Sequence, residues 1–200
     1  MPPKPKTSLR FEDSGIFDVE RLGNRPAPPR RQGNLDALCG IYAIINAFAH
    51  AARDQPLRYF PTKRLFMHLI AKASDRRGDT SFIGDGLTHS ELKHLCKKAL
   101  RFHGKHGYPF ELMAPKDLLP DRPYPRNSED VQRRCAWFAQ AASQPARAVI
   151  LDINTDWISH WSVLTGASGD RLTLYDSNGM RSVAITACEP FLVVEAKRTD

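Results

Sequence analysis

A cysteine, a histidine and an aspartate, met in that order along the chain, offer a means of attacking a carbonyl. Cys39 lies in RQGNLDALCGIYAIINAF, where Ile41, Ile44, Ile45 and Phe48 recur at i, i+3, i+4 and i+7. That period predicts a helix with one buried face, opened by the thiol. A cysteine at a helix start feels the positive end of the dipole, which favours thiolate, the nucleophilic form. Gly40, beside it, would let a substrate carbonyl come close to the backbone and is assigned to the substrate cleft. Upstream, Gln32 offers a side-chain amide that would join the Cys39 backbone N–H in holding an oxyanion, with Asn34 as a second choice. On its own, Cys39 is better explained as a small buried hydrophobe, so the weight falls on its partners.

His160 heads the run HWSVLTG between Trp157 and Trp161, and the two indoles are expected to shield and orient the imidazole. Trp161 is assigned to the cleft as well. Asp176 closes the next β-patterned run, RLTLYDS. A hairpin centred on Ser168 sets His160 directly opposite Asp176, with both side chains on one face. The carboxylate then fixes the ring tautomer and leaves the other nitrogen for Cys39. A two-residue Ser168-Gly169 turn instead puts them on opposite faces and hands the role to Ser177 or Asn178. The first register is preferred because it completes a triad.

The elements that must position these groups fall into two halves. Residues 1–30, rich in Pro and Arg with an apolar island at Ile16–Phe17, read as a flexible arm. One domain is expected over 31–200, helical to about residue 145 and sheet-forming from 146 to 200. The Cys39 helix, for which Asp36 is a plausible N-cap, is followed by a helix over about Lys63–Ala73. Thr88 and Glu91 then form a capping box opening a third helix, with Leu92, Leu95, Cys96, Ala99 and Leu100 inward. Residues 101–127 carry Pro109, Pro115, Pro120, Pro123 and Pro125 and read as a long loop. Ser128 is expected to cap a fourth helix, with Val131, Cys135, Phe138, Ala139 and Ala142 on one side. After Pro145, the runs AVILDI, HWSVLTG, RLTLYDS, RSVAIT and PFLVVEA read as an antiparallel meander. Helices first and strands after give an α+β class.

Taken together, Q…LDALCGIYAIINA, HWSVLTG and LYDSNG resemble papain-like cysteine peptidases, and within them the bacteriocin-processing peptidases that remove double-glycine leaders. In that group a Q-x-n-C-G segment opens a long helix, His leads a strand and Asp follows in a D-P-x-x-G turn. Here the turn reads Asp176-Ser177-Asn178-Gly179, without the proline, and Gln32 stands one residue farther from the cysteine than is usual. The matched segments are Gln32–Phe48 and His160–Gly179. The resemblance implies a helical lobe with the nucleophile, a sheet lobe with His and Asp, and a cleft between them. It implies a Cys39–His160–Asp176 thiol hydrolase cleaving a peptide or isopeptide bond through an acyl-enzyme, with a protein or peptide substrate and no cofactor. An acyltransferase or transglutaminase would use the same three residues, and a catalytically silent binding module would keep only the fold.

Composition narrows the alternatives. Apolar residues at 42% and charged residues at 26% suit a globular domain. The first residues, MPPKPKTSLRFEDSG, lack the apolar core of a secretory signal, which points to the cytoplasm or to delivery as an effector. No run approaches the roughly 18 apolar residues of a membrane span. The net charge of +7 favours acidic partners, but no aromatic–basic interleaving supports nucleic-acid binding. The four cysteines, Cys39, Cys96, Cys135 and Cys188, are far apart and expected as free thiols. His89, His94, Cys96, His103, His106 and Cys135 do not have the spacing of a structural zinc site, and no metal is expected.

Overall fold

The apolar stripe after Cys39 becomes helix α1 (Cys39–Ala51), which is buried along almost its whole length. Two amphipathic helices lie beside it, α2 (Thr62–Arg77) and α4 (His89–Lys105). Gly78, at φ 82°, ends α2 in the left-handed conformation that glycine adopts without strain. The short α3 (Phe82–Asp85) links them, and the Thr88–Glu91 capping box forms as its residues dictate. The computed structural model describes residues 37–53, 61–125 and 130–197. Residues 1–30, Gln32, Asn34, Asp36 and Ser128 lie outside these. Leu38 is the N-cap of α1, in place of the expected Asp36.

The second half is a six-stranded antiparallel sheet: β1 (Phe110–Met113), β2 (Arg147–Asn154), β3 (Ser159–Ser168), β4 (Arg171–Leu174), β5 (Ser182–Ala184) and β6 (Cys188–Ala196), in the order β1-β6-β2-β3-β4-β5. The class is therefore α+β. Strand β1 was not expected; Pro109 and Pro115 flank it, and at four residues it serves as an edge strand, where flanking prolines cost no ladder bonds. Alternation along β2 divides the core. Ala148 and Ile150 join α1, α2 and α4 on one face, while Val149, Leu151 and Ile153 join α6 (Val131–Ala142) and the short α5 (Pro115–Leu118) on the other.

Helix α6 is capped by Asp130, whose side chain accepts from the Arg133 N–H. Its buried side is Arg134, Trp137, Phe138 and Ala141, rotated by one residue, about 100°, from the expected stripe; Ala139 is exposed. A hydropathy pattern cannot anticipate Arg134. Its guanidinium is buried because it donates to the Ile185 and Cys188 carbonyls and to Glu189 at 2.9 Å. Among the described residues, no helix is long and apolar enough to cross a membrane.

Candidate active site

At the N-terminus of α1 the backbone N–H groups have no side-chain cap and no carboxylate in the first turn among the described residues. Nothing among the described residues neutralises the positive end of the helix at Cys39. The thiol is 7% exposed and faces the Ala37 carbonyl at 3.9 Å, a weak contact. It is also close enough to the His160 imidazole to help push that ring's pKa up.

Gly40 sits differently from its assignment to the cleft. It is buried, and a Cβ there would come within 2.9 Å of Leu87 Cδ1 and 3.1 Å of Leu92 Cδ1. The glycine is needed for the close approach of α1 to the start of α4, not for access of a substrate. Trp161, also assigned to the cleft, is 5% exposed. Its indole N–H donates to the Leu87 carbonyl at 3.1 Å, and its ring lies against Phe191 and His89. Trp157 is 90% exposed, so the shielding expected of it does not occur.

His160 and Asp176 are brought together, though not by the expected register. The hairpin turns at Gly169-Asp170, with Gly169 at φ 61°, and Ser168 pairs with Arg171. From this start Asp176 would share a face with Val163. A bulge intervenes: Gly166 pairs with Thr173 but Leu164 with Leu174, leaving Thr165 extra. The Tyr175 N–H then donates to the Val163 carbonyl, and continuing the register places Ser162 opposite Asp176. The bulge has returned Asp176 to the face of His160. His160 Nε2 and Asp176 Oδ2 are 2.6 Å apart, and the two side chains are 6% and 1% exposed.

Asp176 Oδ1 accepts from the Asn178 N–H at 2.8 Å and the Met180 N–H at 3.1 Å, across a turn that Gly179 closes at φ 83°. Burial alone would raise this carboxyl. His160, the facing Ser162 hydroxyl and the Asn178 N–H outweigh it and hold the group below the usual carboxylate range. Burial alone would likewise lower His160, but the hydrogen bonds and charges of Asp176 and Cys39 push it up to about 9. With Nε2 committed to Asp176, Nδ1 is the nitrogen left for Cys39.

The remaining ionisable side chains singled out in the sequence are dispersed. Cys96 is buried in the α1–α2–α4 core, and burial pushes its thiol up. Cys135 is on α6, across the sheet. His103 stacks on Phe48, and His89 bonds Asp152. Among the described residues, no group of His, Cys, Asp and Glu is arranged to hold a metal ion. Sequence reasoning missed the second His–Asp pair, His89 with Asp152, whose partners are too far apart in the chain to suggest each other. The chain matches no known family model, and no curated protein sequence matches it.

Proposed function

We propose that this chain is a papain-like cysteine peptidase that cleaves a peptide or isopeptide bond. The observation that carries the reading is the buried 2.6 Å His160–Asp176 bond, with the Cys39 thiol at the start of α1 close enough to help raise the imidazole's pKa. An imidazolium beside a thiol favours thiolate, and the helix N-terminus acts in the same direction. In the reaction, His160 Nδ1 takes the thiol proton and Cys39 Sγ attacks the carbonyl carbon. The Cys39 N–H faces the developing oxyanion, with Gln32 as the proposed second donor. As the intermediate collapses, His160 returns its proton to the leaving amine and a thioester remains. Water, deprotonated by the same imidazole, then releases the acid and restores the thiol. Asp176 holds the ring in one tautomer and offsets its charge throughout.

The test is alkylation of the native protein by iodoacetamide with site mapping, in wild type and His160→Ala. Under the proposal Cys39 reacts far faster than Cys96, Cys135 and Cys188, and the advantage disappears without His160. Equal inertness of all four thiols would defeat the reading and leave a binding module with this fold. Once a cleaved substrate is found, an added amine separates hydrolysis from acyl transfer, since a new amide would replace the acid.

A further inference from the structure

Helices α2 and α4 together carry ten Lys and Arg against two carboxylates, a net of +8 in a chain whose total is +7. The whole excess of positive charge is therefore on one helical pair, and the rest of the chain is close to neutral. The charges are ordered. On α4, Lys93, Lys97, Arg101 and Lys105 follow one another at i+4 and all are exposed. On α2, Arg64, His68, Lys72 and Arg76 repeat the same spacing. Residues four apart share a helix face, so each helix carries a stripe.

The two stripes lie side by side. Arg76, near the end of α2, reaches Ser90 near the start of α4 at 3.0 Å, and His68 lies against Phe102. Two imidazoles at the seam register the crowding. After burial, the causes that lower His68 are Lys72, Lys105 and Lys98; those that lower His94 are Arg76, Lys98, Arg101 and Lys97. Only Arg77 and Lys72 have carboxylate partners in the face among the described residues: Glu91 and Asp85 for Arg77, Asp75 for Lys72.

The position of the face indicates its partner. Helix α4 begins at the candidate active site: His89 lies against Trp161, the neighbour of His160, and Leu87 fills the space beside Gly40. Lys93 stands one turn further on, and from it the stripe leads away for about 18 Å. An extended polypeptide of about five or six residues spans that length. No aromatic side chain is exposed on the face; Met67 is its only exposed large apolar residue among those described. It therefore lacks the stacking rings of a single-strand nucleic-acid platform.

We propose that the α2–α4 face is an exosite that binds an acidic segment of the polypeptide substrate and delivers the adjoining bond to Cys39. The proposal rests on the peptidase reading above for the identity of the bound chain as substrate. Binding by such a face acts mainly on encounter and on KM, and weakens with salt.

The experiment measures binding of a fluorescein-labelled oligo-glutamate peptide and of a labelled DNA duplex to the full chain, at low and physiological salt. The same measurements are made on the charge-reversed variant Lys97→Glu/Arg101→Glu/Lys105→Glu and on its neutral counterpart with Gln at the three positions. The peptide is expected to bind wild type, and to bind the reversed variant at least roughly tenfold more weakly with the neutral variant between. Iodoacetamide alkylation of Cys39 should be the same in all three, showing that the fold and the thiol are intact. Tighter binding of the duplex than of the peptide, or equal peptide binding by wild type and reversed variant, overturns the exosite. An unreactive Cys39 in wild type is read separately and overturns the peptidase reading, whatever the peptide does.

Discussion

The molecule holds two histidine–aspartate pairs on opposite faces of one end of its sheet. His160 and Asp176 are 2.6 Å apart, His89 and Asp152 2.7 Å. Distance does not distinguish them; surroundings do. The first pair is 6% and 1% exposed, with the second carboxylate oxygen bound by two backbone N–H groups and with a thiol close enough to help raise the ring's pKa. In the second, His89 is 62% exposed, Asp152 is supported by Asn154 at 2.9 Å, and the ring lies against Trp161 and Phe191, with no nucleophile in contact among the described residues. One arrangement concentrates charge where water cannot screen it; the other ties the start of α4 to β2 and β3 in the presence of solvent.

The sharpest test of this contrast is reactivity. His160→Ala is expected to slow alkylation of Cys39 near neutral pH by about a hundredfold or more, whereas His89→Ala should change it less than about twofold. A comparable loss in both variants would mean that the second pair also orients the thiol.

Stability should divide the pairs next. Asp176→Ala leaves the Asn178 and Met180 N–H groups and a buried imidazole without their acceptor, at a cost of about 3 kcal/mol; Asp152→Ala should cost about 1 kcal/mol. Urea unfolding of the two variants measures the difference, and equal costs would remove burial as the explanation.

Packing around the site gives an effect of similar or smaller size. Gly40→Ala should lose about 1–3 kcal/mol as Leu87 and Leu92 are displaced, by the same measurement. If Gly40 faced substrate instead, stability would hold and only turnover would suffer.

Dependence on pH is the finest distinction. A histidine raised from 6.5 to about 9 binds its proton more tightly when folded. Its stabilisation is complete below pH 6.5 and is lost as the pH rises through about 9. Asp176, lowered from 3.8, contributes above that value and loses its contribution on acidification below it. Unfolding free energies across pH for wild type and His160→Asn should therefore converge above about pH 9.

How much of this could be read from the residues varies with how local the cause is. The Cys39 helix, the Thr88–Glu91 box and five of the six strands follow from periodicity and capping chemistry within a few neighbours. Strand β1 was hidden because its pairing with β6 is distant and its flanking prolines resemble a loop. The burial of Arg134 depends on carbonyls more than fifty residues away. At the site, the meeting of His160 with Asp176 was expected, but for the wrong reason: the turn lies later than Ser168, and a bulge that no residue type announces makes up the difference. Gly40 was noticed for its missing side chain, yet what occupies that space, Leu87, is set by how α4 packs.

Thr165 gives the hairpin a rule of parity. His160 and Asp176 are separated by sixteen positions, and the number says nothing of how the residues between are shared out. Deleting Thr165 alone would join Leu164 to Gly166 and leave their pairs with Leu174 and Thr173 as they are, so His160 and Asp176 would still share a face. Moving the extra residue into the Gly169-Asp170 turn would also leave a plain ladder, with a three-residue loop and the same two side chains sharing a face. The extra residue should therefore be tolerated as a bulge, as a longer turn or not at all, whereas a plain ladder that kept it in β3 with a two-residue turn would set the two side chains on opposite faces.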